Sequence, residues 1–385
     1  MIWLLPLFLL GQLVRIPLGD VVITPLDLGV ILLDLVLLVR IKTWLKAFVR
    51  LPWFMAYAVF LSVVAASLVI AFLRGESVSL FALGQFVRIL LYQGVLIGAI
   101  QFGRSSLWLS RALLTFSLLG FAQLFFFPDL GFLVEWGWDP HYGRLVSTML
   151  DPNFASFLAS VGVLIMLVRR NMRGAVFCMV AVLLAFSRSG TIGLAAGLLS
   201  ACFFFRRRQL VTFFAVFLVL SGFFFFFRSN LERERNIDRQ ASLQGREVTV
   251  NRALELGKRN LIFGVGFNRF RDASLDQGLL DEKDVIVHST GSADNSLLFL
   301  WATTGVVGIA AFGWIVWSLV YWLWGQGEEA RWWIVGAIGW MTHAQAVNSL
   351  FFVPIVFVML WWLGGVVSGR EGNRADNRDA VARKV

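Results

Sequence analysis

Arg188 is the residue whose position most directly suggests chemistry. It lies in the stretch Phe186–Gly190, a turn between two apolar segments. The two apolar segments on either side of this turn contain only about 31 residues together. As helices, each would be about 23 Å long, which is shorter than the ~30 Å core of a bilayer. A guanidinium below the membrane edge is costly unless it meets an anion or water, and phosphate suits its planar fork. The alternative is an ordinary turn arginine that snorkels to the interface.

A second candidate is the pair Asp294 and Asn295, which lies one residue before the apolar run beginning at Leu297. Near the start of a membrane helix, an acidic side chain can simply cap the helix. The same carboxylate at a water–membrane boundary could instead act as a general base. The two interpretations are equally consistent with the sequence alone.

Two further ionisable residues lie within apolar segments. Arg88 falls near the middle of the fourth such segment and Asp34 within the second. Counted at 1.5 Å per residue, they would lie at depths of about 15 Å and 18 Å, and Asp27 at about 8 Å. The count therefore predicts a buried ion pair between Arg88 and Asp34. A lipid-phosphate contact is the alternative role for Arg88.

The elements that must position these residues are membrane helices. Hydrophobic residues make up 58% of the 385 residues and charged residues 15%, and the mean hydropathy is +0.76. A soluble domain could not bury so much apolar surface. Apolar stretches of about 20 residues, the length of one helical crossing, follow one another along the chain. The sequence predicts an all-α membrane protein with about twelve transmembrane helices.

One polar segment interrupts this pattern. We predict membrane helices one to nine in 1–227, a large extracytoplasmic loop in 228–293, three more helices in 294–367, and a basic tail in 368–385. The predicted spans are 1–15, 22–39, 51–72, 78–101, 109–128, 146–168, 174–187, 189–205, 209–227, 294–323, 331–346 and 349–367. Within the loop, 247–259 should form a helix that ends at Asn260. The two glycines of Gly264–Gly266 predict a tight turn with close backbone approach.

The distribution of basic residues predicts the orientation. If the spans alternate, about 18 Lys and Arg residues fall in connections and tail on one side, and about four in the short connections on the other. The positive-inside rule makes the first side cytoplasmic, with both termini there and the 228–293 loop outside. This placement explains the net charge of +10 without a nucleic-acid partner. Both cysteines lie within apolar segments and have no metal-type spacing, so we expect neither a disulfide framework nor a metal site.

Four motifs in order resemble the O-antigen ligase and Wzy-type polymerase family. They are STMLDPNFAS (147–156), FSRSG (186–190), GREVTVNRALELGKRNLIFGVG (245–266) and DNSLLFLWATTGVVG (294–308). The resemblance implies a multispan, GT-C-like glycosyltransferase of the bacterial cytoplasmic membrane. Such an enzyme transfers glycan from an undecaprenyl-diphosphate carrier to an acceptor on the outer face. Arg188 and Arg246 would then contact the diphosphate, and Asn153 belongs to a family pattern without an assigned role.

The chain departs from the ligases at one position. Ligases that attach glycan to lipid A core usually carry His-Asn where this chain has Asp294-Asn295, and His288 is the nearest histidine. The departure favours a polymerase that extends lipid-linked glycan, with Asp294 or His288 as the base. A ligase with another acceptor is the alternative within the family, and a polysaccharide or lipid transporter or flippase is the alternative outside it. A chain-length regulator is a further expected partner; no cofactor is expected.

Overall fold

The computed structural model describes residues 1–19, 21–39, 41–102, 105–234, 240–280 and 291–382. Within these ranges the chain forms sixteen α-helices and one two-stranded antiparallel hairpin. The helices are α1 (Leu4–Leu10), α2 (Pro25–Leu38), α3 (Ile41–Val49), α4 (Phe54–Leu73), α5 (Leu80–Leu91), α6 (Gln93–Phe102), α7 (Ser105–Phe126), α8 (Pro152–Val168), α9 (Met172–Leu184), α10 (Arg188–Phe205), α11 (Arg208–Glu234), α12 (Gln240–Arg259), α13 (Phe270–Asp276), α14 (Ser296–Trp324), α15 (Glu328–His343) and α16 (Val353–Ala382). The strands β1 (Ile16–Leu18) and β2 (Val21–Ile23) pair with Pro17 opposite Val22.

The helices have the length and composition of membrane spans. Among the described residues, six helical stretches are long and apolar enough to cross a bilayer: Phe54–Leu73, Leu80–Phe102, Leu107–Phe126, Arg188–Phe205, Arg208–Ser229 and Ser296–Trp324. Shorter apolar helices lie at Pro152–Val168, Met172–Leu184 and Val353–Gly369. The all-α membrane class is therefore confirmed, whereas the count of about twelve spans, the orientation and the division into segments stay predictions. The first predicted span, 1–15, forms only the seven-residue helix α1 before the hairpin begins.

Helix α8 lies at the centre of the bundle. It contains no charged residue, and nearly all of its side chains are buried, including Phe157, Leu158 and Val161. Small residues recur along it, such as Ala155, Ser156 and Ala159. Small side chains let helices pack closely in a membrane protein. The first turn of α8 is thus held in a fixed position among its neighbours α7, α9, α10 and α15.

Helices α10 and α15 cross at a pair of glycines. A Cβ built on Gly193 would lie 3.0 Å from the carbonyl oxygen of Gly339, and a Cβ built on Gly339 would lie 2.8 Å from that of Gly193. Any larger side chain would push the backbones apart. This close crossing brings the first residues of α10 and the last residues of α15 to the same end of the bundle as the start of α8.

The Gly264–Gly266 turn packs against a break in α14. Gly264 and Gly266 have φ values of 69° and 99°, and Gly305 within α14 has φ 67° and ψ −167°. The amide of Val265 donates to Ala302 O at 3.0 Å, and the amide of Val306 donates to Leu261 O at 2.9 Å. The predicted tight turn with close backbone approach is confirmed. The predicted helix before it is also confirmed, although α12 begins at Gln240 rather than at Glu247.

A fully buried arginine fastens the segment after this turn to the connection between α4 and α5. Arg269 forms ion pairs with Glu76 and with Asp276, the latter at 3.1 Å between Nη2 and Oδ2. Its Nε donates to Ser77 O at 2.6 Å. Burying a charge is tolerated only when it is paired and hydrogen-bonded. Arg269 therefore fixes the described part of the polar segment on the helical bundle.

Candidate functional site

The site begins with the first turn of α8. Asp151 is the N-cap: its Oδ1 accepts hydrogen bonds from the amides of Asn153 at 2.6 Å and Phe154 at 3.1 Å. Pro152 follows at the first helical position, where its fixed φ favours the helix and its missing N–H costs nothing. The Asp-Pro-Asn pattern therefore has a local structural explanation, which leaves the Asn153 side chain free to bond elsewhere.

Asn153 joins α8 to the FSRSG turn. Its Oδ1 accepts from Ser187 Oγ at 2.8 Å and from Ser189 Oγ at 3.3 Å. Ser187 also caps α10 by accepting from the Gly190 amide at 3.2 Å. The motif alone assigned no role to Asn153, and the structure makes it the residue that fixes the turn carrying Arg188. The Arg188 side chain itself is exposed, and among the described residues no acidic group forms an ion pair with it.

A second arginine supports the same turn from the other side. Arg144 donates from Nε to Ala185 O at 3.0 Å and from Nη2 to Phe186 O at 3.2 Å. These are carbonyls at the C-terminal end of α9, where a cation is favourable. Phe186 has φ 48°, a left-handed conformation that is uncommon for a bulky residue. Arg144 thus holds a sharp turn that presents Arg188 at the first position of α10.

Helix α12 brings Arg246 and Thr249 to Asp294. The amide of Asp294 donates to Thr249 Oγ1 at 3.4 Å, and that hydroxyl donates to Arg246 O at 3.0 Å. Burial raises the pKa of the Asp294 carboxyl; Arg246 acts to lower it, and Asp151 and Asp139 act to raise it. Arg246 also acts to lower the pKa of Asp151, which burial raises. Arg246 is therefore close enough to influence both carboxylates.

The cap interpretation of Asp294 is wrong. Asn295 caps α14: its Oδ1 accepts from the amides of Leu297 and Leu298, both at 3.0 Å, and its Nδ2 donates to Gln345 O at 3.0 Å. A helix has one N-cap residue, and its side chain satisfies the free amides of the first turn. The half-buried Asp294 carboxylate is thereby left for another role beside Arg246.

The ion pair predicted for Arg88 is also wrong. Arg88 pairs with Asp27, at 3.0 Å for Nε–Oδ1 and 2.8 Å for Nη2–Oδ2, and not with Asp34. Tyr92 donates to the same carboxylate at 3.1 Å, and Val22 O accepts from Arg88. A depth count places the Cα atoms only, whereas a long arginine side chain reaches several ångströms towards the interface. The guanidinium group of Arg88 is bound by other residues of the protein, which favours a structural role. Arg88 is therefore not an unpaired charge that could bind a transported substrate, as the transporter alternative would need.

One histidine that the sequence analysis did not select contacts the first turn of α8. His343, at the end of α15, is fully buried, and its Nε2 lies 3.2 Å from Asn153 O. Its ring stacks on Phe157 with 4.8 Å between centroids. Nothing local in the sequence indicates this contact, because 190 residues separate the partners. The alternative base, His288, lies outside the described residues. Among those described, no three His, Cys, Asp or Glu side chains are placed to hold a metal ion.

Comparison with known families matches a segment that carries part of this site. Residues 173–313 match the Wzy_C family model, which is described as O-antigen ligase. The match includes Arg188, Arg246 and Asp294 and three of the four motifs, and it confirms the resemblance to this family; the motif at 147–156 lies before it. No curated protein matches the chain significantly. The match covers a little over a third of the chain, and together with the helical membrane fold it makes the chain similar to membrane proteins of the O-antigen ligase type.

Proposed function

We propose that the protein polymerises glycan repeat units from an undecaprenyl-diphosphate carrier on the outer face of the cytoplasmic membrane. The observation that carries the proposal is that Arg246 lies close to Asp294 and Asp151, while Asn153 joins the turn that carries Arg188 to the first turn of α8. Neither Arg188 nor Arg246 has an ion-pair partner among the described residues, and the carboxylate beside Arg246 does not cap α14. Cations beside a free carboxylate suit a reaction in which an anion leaves while a proton is removed.

Each residue has one step in the proposed reaction. Asp294 accepts the proton of an acceptor sugar hydroxyl, whose oxygen then bonds to the anomeric carbon of the donor. The bond between that carbon and the diphosphate oxygen breaks, and the electron pair leaves with the diphosphate. Arg188 and Arg246 stabilise the charge that develops there, which is electrostatic catalysis by preorganised donors. Asn153, Arg144 and Thr249 position these groups and do not touch the substrate.

Polymerase is favoured over ligase because Asp294 replaces the histidine of the lipid A core ligases. A carboxylate can remove a proton from a sugar hydroxyl as imidazole can. The acceptor would then be a second lipid-linked glycan, with a chain-length regulator as a further partner. The outer-face assignment rests on the distribution of basic residues. A ligase acting on a different acceptor uses the same donor residues, so the products of the reaction distinguish the two.

The diphosphate assignment is tested by replacing each arginine with lysine. Arg188→Lys and Arg246→Lys keep the charge and lose the two-pronged hydrogen bonding to phosphate oxygens. We expect each to lower the rate of glycan transfer by at least tenfold and to weaken binding of undecaprenyl diphosphate. Arg259→Lys is the matched control, because Arg259 lies on the same helix and pairs with Glu255 at 2.9 Å instead. Equal rates for all three variants would refute the assignment.

A further inference from the structure

The C-terminal end of α15 is hydrogen-bonded to the start of α14. The amide of Ser296 donates to Ala344 O at 2.8 Å, and Asn295 Nδ2 donates to Gln345 O at 3.0 Å. Asp294 directly precedes Asn295 and Ser296 in the chain. The end of α15 therefore fixes the backbone beside the proposed base.

His343, the last residue of α15, contacts the other part of the site. Its Nε2 lies 3.2 Å from Asn153 O in the first turn of α8. The Asn153 side chain in turn accepts hydrogen bonds from Ser187 and Ser189, the two residues that flank Arg188. The contacts thus run from His343 through Asn153 to the turn that presents Arg188. One end of α15 joins the segments that carry the proposed base and a proposed diphosphate-binding residue.

The His343 ring is closely confined. It is fully buried, and it stacks on Phe157 of α8 with an interplanar angle of 27°. A Cβ built on Gly193 of α10 would lie 3.2 Å from His343 Cβ. Because α8, α10 and α15 meet at this side chain, its ring has little freedom to rotate. A hydrogen bond from it therefore fixes the position of the acceptor.

The hydrogen bond to Asn153 is the polar contact that accounts for a histidine at this position. A carbonyl oxygen only accepts, so His343 Nε2 carries the proton. The second ring nitrogen, Nδ1, is buried and has no partner among the described residues. Burying an imidazole costs free energy that an apolar ring of similar shape would not. Packing alone would favour such a ring, whereas a donor to the first turn of α8 requires the histidine.

We propose that His343 is a positioning residue for the glycan transfer proposed above. Its Nε2–H holds the first turn of α8, and through Asn153 it holds the turn that presents Arg188 in a fixed position relative to Asp294. The inference rests on the proposed function, and His343 itself does not touch the substrate. A misplacement of about 1 Å in a reacting site can cost about 10²-fold in rate, so a small shift of this turn is sufficient.

Two substitutions separate the hydrogen bond from the ring. His343→Phe keeps an aromatic ring beside Phe157 and removes the donor, whereas His343→Gln removes the ring and keeps an N–H donor of similar reach. Trp340→Phe is the matched control, because it removes the bond from Trp340 Nε1 to Ser349 O at 3.2 Å, one turn earlier on α15. We expect kcat for transfer from purified lipid-linked donor to fall at least tenfold in His343→Phe. It should stay within threefold of wild type in the other two variants, and a loss in His343→Gln equal to that in His343→Phe would refute the hydrogen bond.

A double-mutant cycle tests whether His343 acts through Arg188. If it does, His343→Phe should lower kcat by no more than threefold in the Arg188→Lys background, because substitutions in one network are not additive. A merely structural loss would be the same in both backgrounds. An equal tenfold loss in both would therefore overturn the proposal.

Hydrogen exchange provides a readout that does not depend on activity. The amides of Gly190 and Thr191 donate to Ser187 Oγ and Ser187 O, so their exchange reports the order of this turn. Mass spectrometry of a peptide covering 186–191 should show exchange at least threefold faster in His343→Phe than in wild type or Trp340→Phe. Unchanged exchange in His343→Phe would refute the inference, whatever the transfer rate.

The two measurements distinguish failure of this inference from failure of the proposed function. A wild-type protein that transfers no glycan would refute the proposed function, and the exchange of 186–191 would still decide whether His343 holds the turn. If His343→Phe does not fold, His343→Asn replaces it in both measurements, because its shorter amide ends before Asn153 O. His343→Asn should then show the same loss of rate and the same faster exchange, and wild-type values for both would overturn the proposal.

Discussion

Replacing Asp294 with asparagine separates a base from a structural role. The change removes the ionisable oxygen and keeps the size of the side chain, the hydrogen bond from the backbone amide to Thr249 and the Asn295 cap. Loss of a general base costs about 10²–10⁴ in rate. At about 1.4 kcal/mol per tenfold, this raises the barrier by roughly 3–5.5 kcal/mol.

Folding stability should not fall in the same variant. Burial raises the pKa of Asp294 in the folded protein, so its ionised form opposes folding at neutral pH rather than supporting it. The neutral amide of the variant carries no such charge. The melting temperature of Asp294→Asn should therefore equal or slightly exceed that of wild type, while the transfer rate falls.

The adjacent residue provides the control. Asn295→Ala removes the acceptor for the Leu297 and Leu298 amides and should cost about 1 kcal/mol of stability, with the Asp294 carboxylate intact. Transfer rates from purified lipid-linked donor and thermal melts are measured on both variants. Full activity in Asp294→Asn would refute the base assignment and transfer it to His288, which His288→Gln then tests.

Three further outcomes follow from the structure. Burial raises the pKa of Asp294 and Arg246 lowers it, so removing Arg246 should raise this pKa further. The residual activity of Arg246→Gln should therefore begin to fall at a higher pH than that of wild type as the solution is made more acidic. A shift of this decline to lower pH in the pH–rate profile would contradict the expectation. Gly264→Ala adds a Cβ that overlaps the backbone of Thr303 and Thr304, at a residue with a φ of 69°. The variant should therefore lose about 3 kcal/mol or more of folding stability in a denaturation assay. Gly222→Ala is the control and should not lose stability in this way, because nothing lies within 4 Å of a Cβ at that position. Burial lowers the pKa of His141 to about 4, below its ordinary value of about 6.5. Between these two pH values the folded state binds fewer protons than the unfolded state, so folding stability falls as the pH drops through this range. His141→Gln should reduce this dependence of stability on pH, measured by thermal melts at several pH values.

The topology is tested by labelling. Ser242→Cys in a background without Cys178 and Cys202 should react with a membrane-impermeant maleimide in intact cells. Reaction only after permeabilisation would place the 228–293 segment on the cytoplasmic side and would also contradict the outer-face assignment of the site.

Local patterns in the sequence predicted the parts of the molecule that local physics determines. Apolar runs near 20 residues predicted α4, α7, α11 and α14, because the bilayer thickness fixes the length of a crossing. The glycines at 264 and 266 predicted a close backbone contact, because a larger residue could not occupy those conformations. The second half of α12 was also predicted, as a helix over 247–259. Arg246 and Thr249 lie on one face of α12, because residues three apart are neighbours on a helix.

Long-range contacts could not be predicted in the same way. The contact of Asn153 with His343, and the support of the FSRSG turn by Arg144, depend on how separate helices pack. The choice between Asp294 and Asn295 as cap depends on a helix start that differs by one residue, which is finer than a sequence pattern can define. The Arg88–Asp27 pair shows that a depth count fails where a side chain is as long as the depth difference at issue.

The most direct measurement is reconstitution of the purified protein in liposomes with a chemically defined polyprenyl-diphosphate-linked repeat unit. Mass spectrometry of the lipid extract then follows the glycan. The account predicts products with two or more repeat units and the release of one polyprenyl diphosphate for each glycosidic bond formed, both absent with Asp294→Asn and strongly reduced with Arg246→Lys. Donor that stays a single repeat unit, or that crosses the bilayer with its diphosphate bond intact, would contradict glycan transfer as the function of this site.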